Sequence, residues 1–250
     1  MEESLYFGVR IEFDKERFDR TVFDAIAEGR TGYVCSVESN NLTCAFKDPA
    51  FRAVLNGALV NNCDGSVLAA MLSRIHKRKL ESYIGADIFI KYIKMCRFRQ
   101  FFLGNTPEVL AGLKANLTRL DPRIAEMRFE TLPFATVDAF DYKGIAEMIN
   151  ADAPDIIWVS LGAPKQEMFM SRLQPYLKRG VMFGFGAIFN FNAGVGAVKR
   201  APAWMLKCRL EWLHRAFEQP RKNVPRYWGF IRILPRLIRQ EKRMVTRKPQ

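Results

Sequence analysis

Asp155-Ile156-Ile157-Trp158-Val159-Ser160-Leu161-Gly162-Ala163-Pro164-Lys165-Gln166-Glu167 decides the fold class. Asp155 to Gly162 is a short apolar run that ends in a glycine turn, which predicts a buried strand. Lys165 to Leu177 then carries apolar residues at helical spacing, so the unit reads strand, turn, helix. The same reading extends outward. Gly32 to Val37, Gln100 to Gly104 and Val181 to Phe191 are the other strand candidates, and Asp48 to Leu59, Ser66 to Lys77, Pro107 to Leu120 and Tyr142 to Asn150 the other helices. Asn105-Thr106-Pro107-Glu108 marks a helix start: a capping side chain, a proline suited to the first turn and an early acid. Alternation of this kind predicts an α/β fold, a Rossmann-like and mainly parallel sheet covered by helices on both sides. Ligands of such sheets bind at the carboxyl ends of the strands, so the chemistry belongs in the turns.

The bulk numbers narrow the classes. At 250 residues, 49% hydrophobic and 26% charged, the chain has an ordinary globular composition, which argues against disorder and fibrous folds. The start lacks the pattern of a secretory signal, and no window approaches the roughly 18 apolar residues of a spanning helix, so a cytosolic protein is expected. Cys35, Cys44, Cys63, Cys96 and Cys208 are widely spaced, with only two histidines in the chain, which argues against a zinc site and a disulfide framework. No metal and no cofactor is expected, and a dehydrogenase is disfavoured because no G-x-G-x-x-G follows an early strand.

Charge is concentrated at one end. From Lys199 onward there are fifteen Lys and Arg against three Glu, so the tail carries +12 of the chain's +13. Tyr227, Phe230, Ile231, Leu234, Leu237 and Ile238 recur at three- and four-residue steps between basic residues, an apolar stripe beside a cationic face. This suits an anionic membrane surface, although the stripe can equally pack on the body, and Pro235 is expected to kink or interrupt a helix here. Two units are expected: a core over 1–195 and a helical basic appendage over 196–250 that associates with membrane and completes the active site. A non-catalytic module binding anionic lipid or nucleic acid through the tail is the rival reading; nucleic acid is the less favoured partner.

Ile157 to Glu167 resembles the signature "vglG.PkQE" of the WecG/TagA/CpsF glycosyltransferases, glycosyltransferase family 26. Phe183 to Phe191 with Ala193-Gly194 and Arg200-Ala201-Pro202-Ala203-Trp204 resembles that family's "GvGa.fDf.aG...RAP.w". Leu210 to Arg215, Pro220-Arg221 and Arg226-Tyr227 resemble its "lEWlyRl..eP.R...RY", while Cys63-Asp64-Gly65 and Ile84 to Asp87 resemble "pDG" and "v.G.D". The blocks run in the family's order over roughly residues 30 to 228. Three positions depart from it: Ser36-Val37-Glu38 stands for T-x-N, Asn190 for an aspartate, and Cys63 for a proline.

The resemblance implies an inverting, metal-independent transferase that moves an N-acetylmannosamine-type sugar or a hexose from a UDP-sugar to an undecaprenyl-diphosphate-linked saccharide, in bacterial cell-surface polysaccharide synthesis. It implies work at the inner face of the cell membrane, and leaves association of copies open. Asp64 is then the expected base, and Arg215, Arg221 and Arg226 the groups that neutralise the departing diphosphate. Gly162, Lys165, Gln166 and Glu167 are expected to hold phosphate and sugar, and Gly104, Asn105 and Thr106 the nucleotide side. Gly184 and Gly186 permit close approach to a ligand. Ser36, Glu38, Gly65, Gly85, Asp87 and Arg200 complete the expected substrate site. Outside this context Asp64-Gly65 reads as a turn and Glu167 as an early helix acid. His76 and His214 read as core or solvated histidines, and Trp204, Trp212 and Trp228 as appendage packing, with Trp228 the best interfacial anchor.

Overall fold

A computed structural model describes residues 5–194, 202, 205 and 211–247. The central sheet contains β3 (Thr31–Val37), β4 (Val60–Cys63), β5 (Gln100–Gly104), β6 (Arg128–Glu130), β7 (Ile156–Ser160) and β8 (Gly180–Gly184) in the order β4-β3-β8-β7-β5-β6. Every pairing in it is parallel. A short antiparallel pair, β1 (Leu5–Tyr6) and β2 (Val9–Arg10), precedes it.

Side chains alternate across the strands, and both faces are buried, as a parallel sheet requires. Val34, Phe102, Ile156, Trp158, Val181 and Phe183 face one apolar layer with α1 (Lys15–Ala27), α5 (Gly85–Lys94), α6 (Pro107–Leu117) and α9 (Gly186–Ala193). Tyr33, Cys35, Val37, Phe101, Leu103, Ile157, Val159 and Met182 face the other, with α2 (Ser39–Lys47), α3 (Pro49–Gly57), α4 (Ser66–His76), α7 (Tyr142–Asp152) and α8 (Lys165–Leu173). Each large apolar side chain buried this way contributes about 1.5–3 kcal/mol. Trp158, fully buried, also satisfies its ring N–H by donating to Gln100 Oε1 at 2.7 Å. The chain leaves β3, β4 and β7 toward one face and β8 toward the other. A crevice therefore opens around the carboxyl end of β8, the topological position at which open α/β sheets bind ligands.

Three differences from the sequence expectations have local causes. Val181 to Phe191 is not one strand: β8 stops at Gly184, and α9 starts at Gly186. That helix carries Ile188 and Phe189 against the core and is apolar on most sides, so the run lacks the periodicity that tells helix from strand. The helix Ser39–Lys47 was not expected, because it holds two consecutive asparagines, poor residues for a helix interior. Pro235 does not interrupt the last helix: after α10 (Glu211–Glu218), α11 runs from Pro220 to Arg247 through both Pro225 and Pro235. The carbonyls released by these prolines belong to Arg221 and Ile231, both exposed, so water can satisfy them.

α11 packs against α2 and α4, and places Ile233 and Leu237 in the same apolar cluster as one face of the sheet. Near its far end, buried Glu241 accepts from Phe7 N–H at 2.6 Å and lies 2.8 Å from His76 Nε2.

Candidate active site

A cleft of about 380 Å³ opens at the carboxyl ends of β3, β4, β5, β7 and β8, lined by Ser36, Glu38, Asp64, Asn105, Ser160, Gly162, Gly184 and Gly186 among others. The α10–α11 junction closes one side with Glu218, Gln219, Lys222, Asn223 and Arg226. The structure thus brings strand-end acids and C-terminal cations to one cavity.

Asp64 follows β4 directly, and its own amide donates to Val37 O at 2.9 Å, which fixes it beside the end of β3. Its Oδ1 accepts from Gly85 N at 3.1 Å, at the first residue of α5. Half-buried, the carboxyl remains in the cleft wall. Ser36 Oγ donates to Asn62 Oδ1 at 3.0 Å and Asn62 Nδ2 to Tyr83 O at 2.8 Å, tying β3, β4 and the segment before α5 into one unit.

The turn after β7 is pinned by Gln166. Its Oε1 accepts from Gly162 N at 3.1 Å and Gly186 N at 3.2 Å, while its Nε2 donates to Gly184 O at 2.6 Å and Glu167 Oε1 at 3.1 Å. One buried amide thereby joins the turns after β7 and β8. Gly186 is required by this approach: a Cβ there would sit 2.7 Å from Gln166 Oε1 and 2.9 Å from Gly162 N. Gly104 has φ +94°, and a Cβ on it would meet Ser160 O at 2.7 Å, so that turn too admits only glycine without strain. Asn105 beside it donates to Ser160 Oγ at 2.9 Å, and Ser160 passes a hydrogen bond to Gly186 O at 2.8 Å.

Glu167 is the cleft's unusual group. It is 0% exposed; its Oε1 accepts from Asn41 Nδ2 at 3.1 Å as well as from Gln166, and its Oε2 has no hydrogen-bond partner. Burial pushes its pKa up to about 7, and the nearby charge of Glu38 adds to the rise against the pull of the two amide donors. A carboxyl of this kind holds a proton near neutrality and can donate as well as accept. From α11, Arg226 Nη2 donates to Ala163 O at 3.3 Å, so the guanidinium rests on the turn that Gln166 organises.

A model of the glycosyl transferase WecG/TagA/CpsF family matches residues 6–247. The chain belongs to that family. Two curated relatives are named N-acetylglucosaminyldiphosphoundecaprenol N-acetyl-beta-D-mannosaminyltransferase. The one from Bacillus spizizenii is 29% identical over 192 residues, and the one from Bacillus subtilis strain 168 is 28% identical over 192; each alignment covers 73% of this chain and 72% of the relative. The protein is accordingly a glycosyltransferase.

In this WecG/TagA/CpsF transferase the expected site residues fall into three groups. Ser36, Glu38, Asp64, Asn105, Gly162, Gln166, Glu167, Gly184, Gly186 and Arg226 line the cleft. Gly65, Gly85, Gly104 and Thr106 shape it from behind: Gly65 precedes α4, Gly85 is the donor to Asp64, and Thr106 caps α6 by accepting from Val109 N at 3.4 Å. Asp87 and Arg221 are exposed and outside the lining, and Lys165 lies over the rings of Phe140 and Phe134 at 5.0 and 5.5 Å. The side chain of Arg215 and the whole of Arg200 lie outside the described residues.

Asn41, Asn62, Lys222 and Asn223 were not singled out from the sequence. For Asn41 the available signal was Asn40-Asn41 inside a helix, since such a pair persists where its amides have buried work. Lys222 was hidden among the many cations of the tail. Among the described residues no group of three or more His, Cys, Asp or Glu is placed to hold a metal ion, and no helix is long and apolar enough to cross a membrane.

Proposed function

We propose that the protein is an inverting glycosyltransferase that moves an N-acetylmannosamine-type sugar or a hexose from a UDP-sugar to an undecaprenyl-diphosphate-linked saccharide during cell-surface polysaccharide synthesis. The observation that carries the reading is a single cleft in which Asp64 and the cations Lys222 and Arg226 meet. The names of the two Bacillus relatives, which specify N-acetylmannosaminyl transfer to N-acetylglucosaminyldiphosphoundecaprenol, support the sugar and the acceptor, while UDP as carrier and a hexose as the other sugar rest on the family resemblance.

In the proposed reaction the Asp64 carboxylate takes the proton of the acceptor hydroxyl as its oxygen attacks the anomeric carbon. The bond from that carbon to the diphosphate oxygen breaks, and its electron pair leaves with UDP, inverting the linkage. Lys222 and Arg226, both in the cleft lining, meet the charge developing on the leaving diphosphate, the role a divalent cation fills elsewhere. The proposal is therefore of metal-independent transfer. Purified protein supplied with UDP-sugars and lipid-diphosphate-linked N-acetylglucosamine should transfer with inversion and keep its rate in excess chelator; loss of turnover in chelator that returns with a divalent cation counts against the mechanism.

The proposed seat is the inner membrane surface. Trp228 is 55% exposed and Ile231 54%, while Arg232, Arg236, Arg239, Lys242 and Arg243 face solvent along the same helix. Aromatic and aliphatic groups entering the headgroup boundary, with each nearby cation adding about 1 kcal/mol, give peripheral attachment without a spanning segment. Flotation with anionic but not neutral liposomes is expected; equal flotation with both, or none, counts against it.

A further inference from the structure

We infer that Glu38 makes this transferase select a neutral glycosyl donor, a hexose or N-acetylhexosamine, over a hexuronic acid. The inference rests on the proposed role of Asp64 and adds the donor's charge class to it. Val37 pairs with Cys63 across β3 and β4, and Asp64 N donates to Val37 O, so Glu38 and Asp64 leave adjacent strand ends side by side. A sugar whose anomeric carbon is presented for attack beside Asp64 must therefore lie against Glu38.

Locally, Glu38 Oε2 accepts a long hydrogen bond from Ser39 Oγ at 3.4 Å. It occupies the N-cap position of α2, yet its side chain caps none of that helix's amides; it lines the cleft instead. Fully buried Glu167 is in the same lining, with Oε2 unpartnered. Burial is what chiefly raises the pKa of Glu167, and the charge of Glu38 adds a smaller push in the same direction. Three carboxyls around one sugar suit a ring of hydroxyls, each of which can donate a hydrogen bond to an oxygen. A uronate would bring a fourth carboxyl, within about one ring width of Glu38, where repulsion at an effective dielectric near 20 suffices for a discrimination of about tenfold or more.

The test compares a UDP-N-acetylhexosamine with the UDP-N-acetylhexosaminuronate of the same stereochemistry, on lipid-diphosphate-linked N-acetylglucosamine. The full-length protein should show kcat/KM at least about tenfold higher for the neutral donor, and Glu38→Gln should shrink that ratio by about tenfold. Binding of the two nucleotide sugars, measured calorimetrically without acceptor, should shift in the same direction. The ratio reports discrimination, which a general loss of folding or activity leaves unchanged. A wild-type enzyme that uses the uronate as well as the neutral donor overturns the inference while leaving the transferase reading intact, as does a ratio unmoved by Glu38→Gln. Transfer of neither donor, with neither bound, overturns the reading and the inference together.

Discussion

The carboxyl edge of the sheet and the C-terminal helix contribute opposite charges to one cleft, and are held by opposite means. Glu38, Asp64 and Glu167 stand on strand ends and first helical turns laced by buried hydrogen bonds from Asn41, Asn62, Gln166 and Gly85. Lys222 and Arg226 ride on a helix that reaches the body through the bond from Arg226 to Ala163 O, an apolar stripe and, as its most distant fastening, one buried acid, Glu241, some fifteen residues beyond Arg226. At about 1.5 Å of rise per residue, the fastening lies more than about 20 Å from the cations it helps position. The proton-handling side is thus preorganised by polar bonds around itself, whereas the charge-neutralising side is placed mainly by the packing of a helix, with the single bond from Arg226 to Ala163 O at the cleft.

The largest effect that separates the two sides is expected from Asp64→Asn. Removing the base at constant shape should lower turnover by about 10²- to 10⁴-fold while donor KM changes little, which steady-state kinetics on a lipid-linked acceptor can read. Near-normal turnover would take Asp64 out of the proton-transfer step. Next is Gln166→Leu, which strips the turns after β7 and β8 of their shared partner. It takes their partner from the Gly162 and Gly186 amides and the Gly184 carbonyl and leaves Glu167 Oε1 with Asn41 alone, at a cost of about 3–5 kcal/mol in urea unfolding. A loss below about 1 kcal/mol would mean that the two turns hold their shape without it.

Glu241→Ala addresses the other side. Loss of this acid leaves Phe7 N–H and His76 without their partner and should lower stability by about 1–3 kcal/mol. Because the helix it fastens carries Lys222 and Arg226, donor KM should rise several-fold as well, measured at a temperature where the variant is folded. Unchanged KM in a destabilised variant would show that the apolar stripe and the bond from Arg226 to Ala163 O position the cations without Glu241.

The two sides also differ in how far the sequence discloses them. The strand ends are legible in part: Gly104 and Gly162 each punctuate an apolar run, and a parallel sheet assigns its ligands to such turns, whereas the strand before Asp64-Gly65 holds two asparagines and escapes the pattern. What is not legible is a side chain's commitment after folding. Gln166 reads as a ligand for sugar, and three of its four hydrogen bonds join two turns, a pairing between residues far apart in sequence that no local pattern encodes. Lys165, one position earlier, turns to the rings of Phe134 and Phe140. On the helix, the charge and the stripe are legible, but the division of the stripe between body and solvent is not. Leu237 is buried and Ile231 exposed because α2 and α4 contact only part of the helix circumference. Of the kink or interruption expected at Pro235, the interruption is absent for a similar reason: Ile231, whose carbonyl is released, is on the wet side.

Glu167→Gln gives the smallest effect and tests whether the acidic side is as dry as its bonding suggests. Burial raises the folded pKa of Glu167 to about 7 from an ordinary 4.5. Below about 4.5 both folded and unfolded chains hold the proton, and the group confers no pH dependence. Between about 4.5 and 7 the unfolded chain releases its proton while the folded chain keeps it, so the wild type loses stability as pH rises. Above about 7 both are ionised and the loss is complete. Glutamine cannot ionise, so the stability of Glu167→Gln relative to wild type should increase between pH 5 and pH 8 by on the order of 1–3 kcal/mol in urea unfolding. A flat difference across that range would mean that water reaches Glu167, and the contrast between a dry, polar-laced edge and a helix held mainly by apolar packing would lose its dry half.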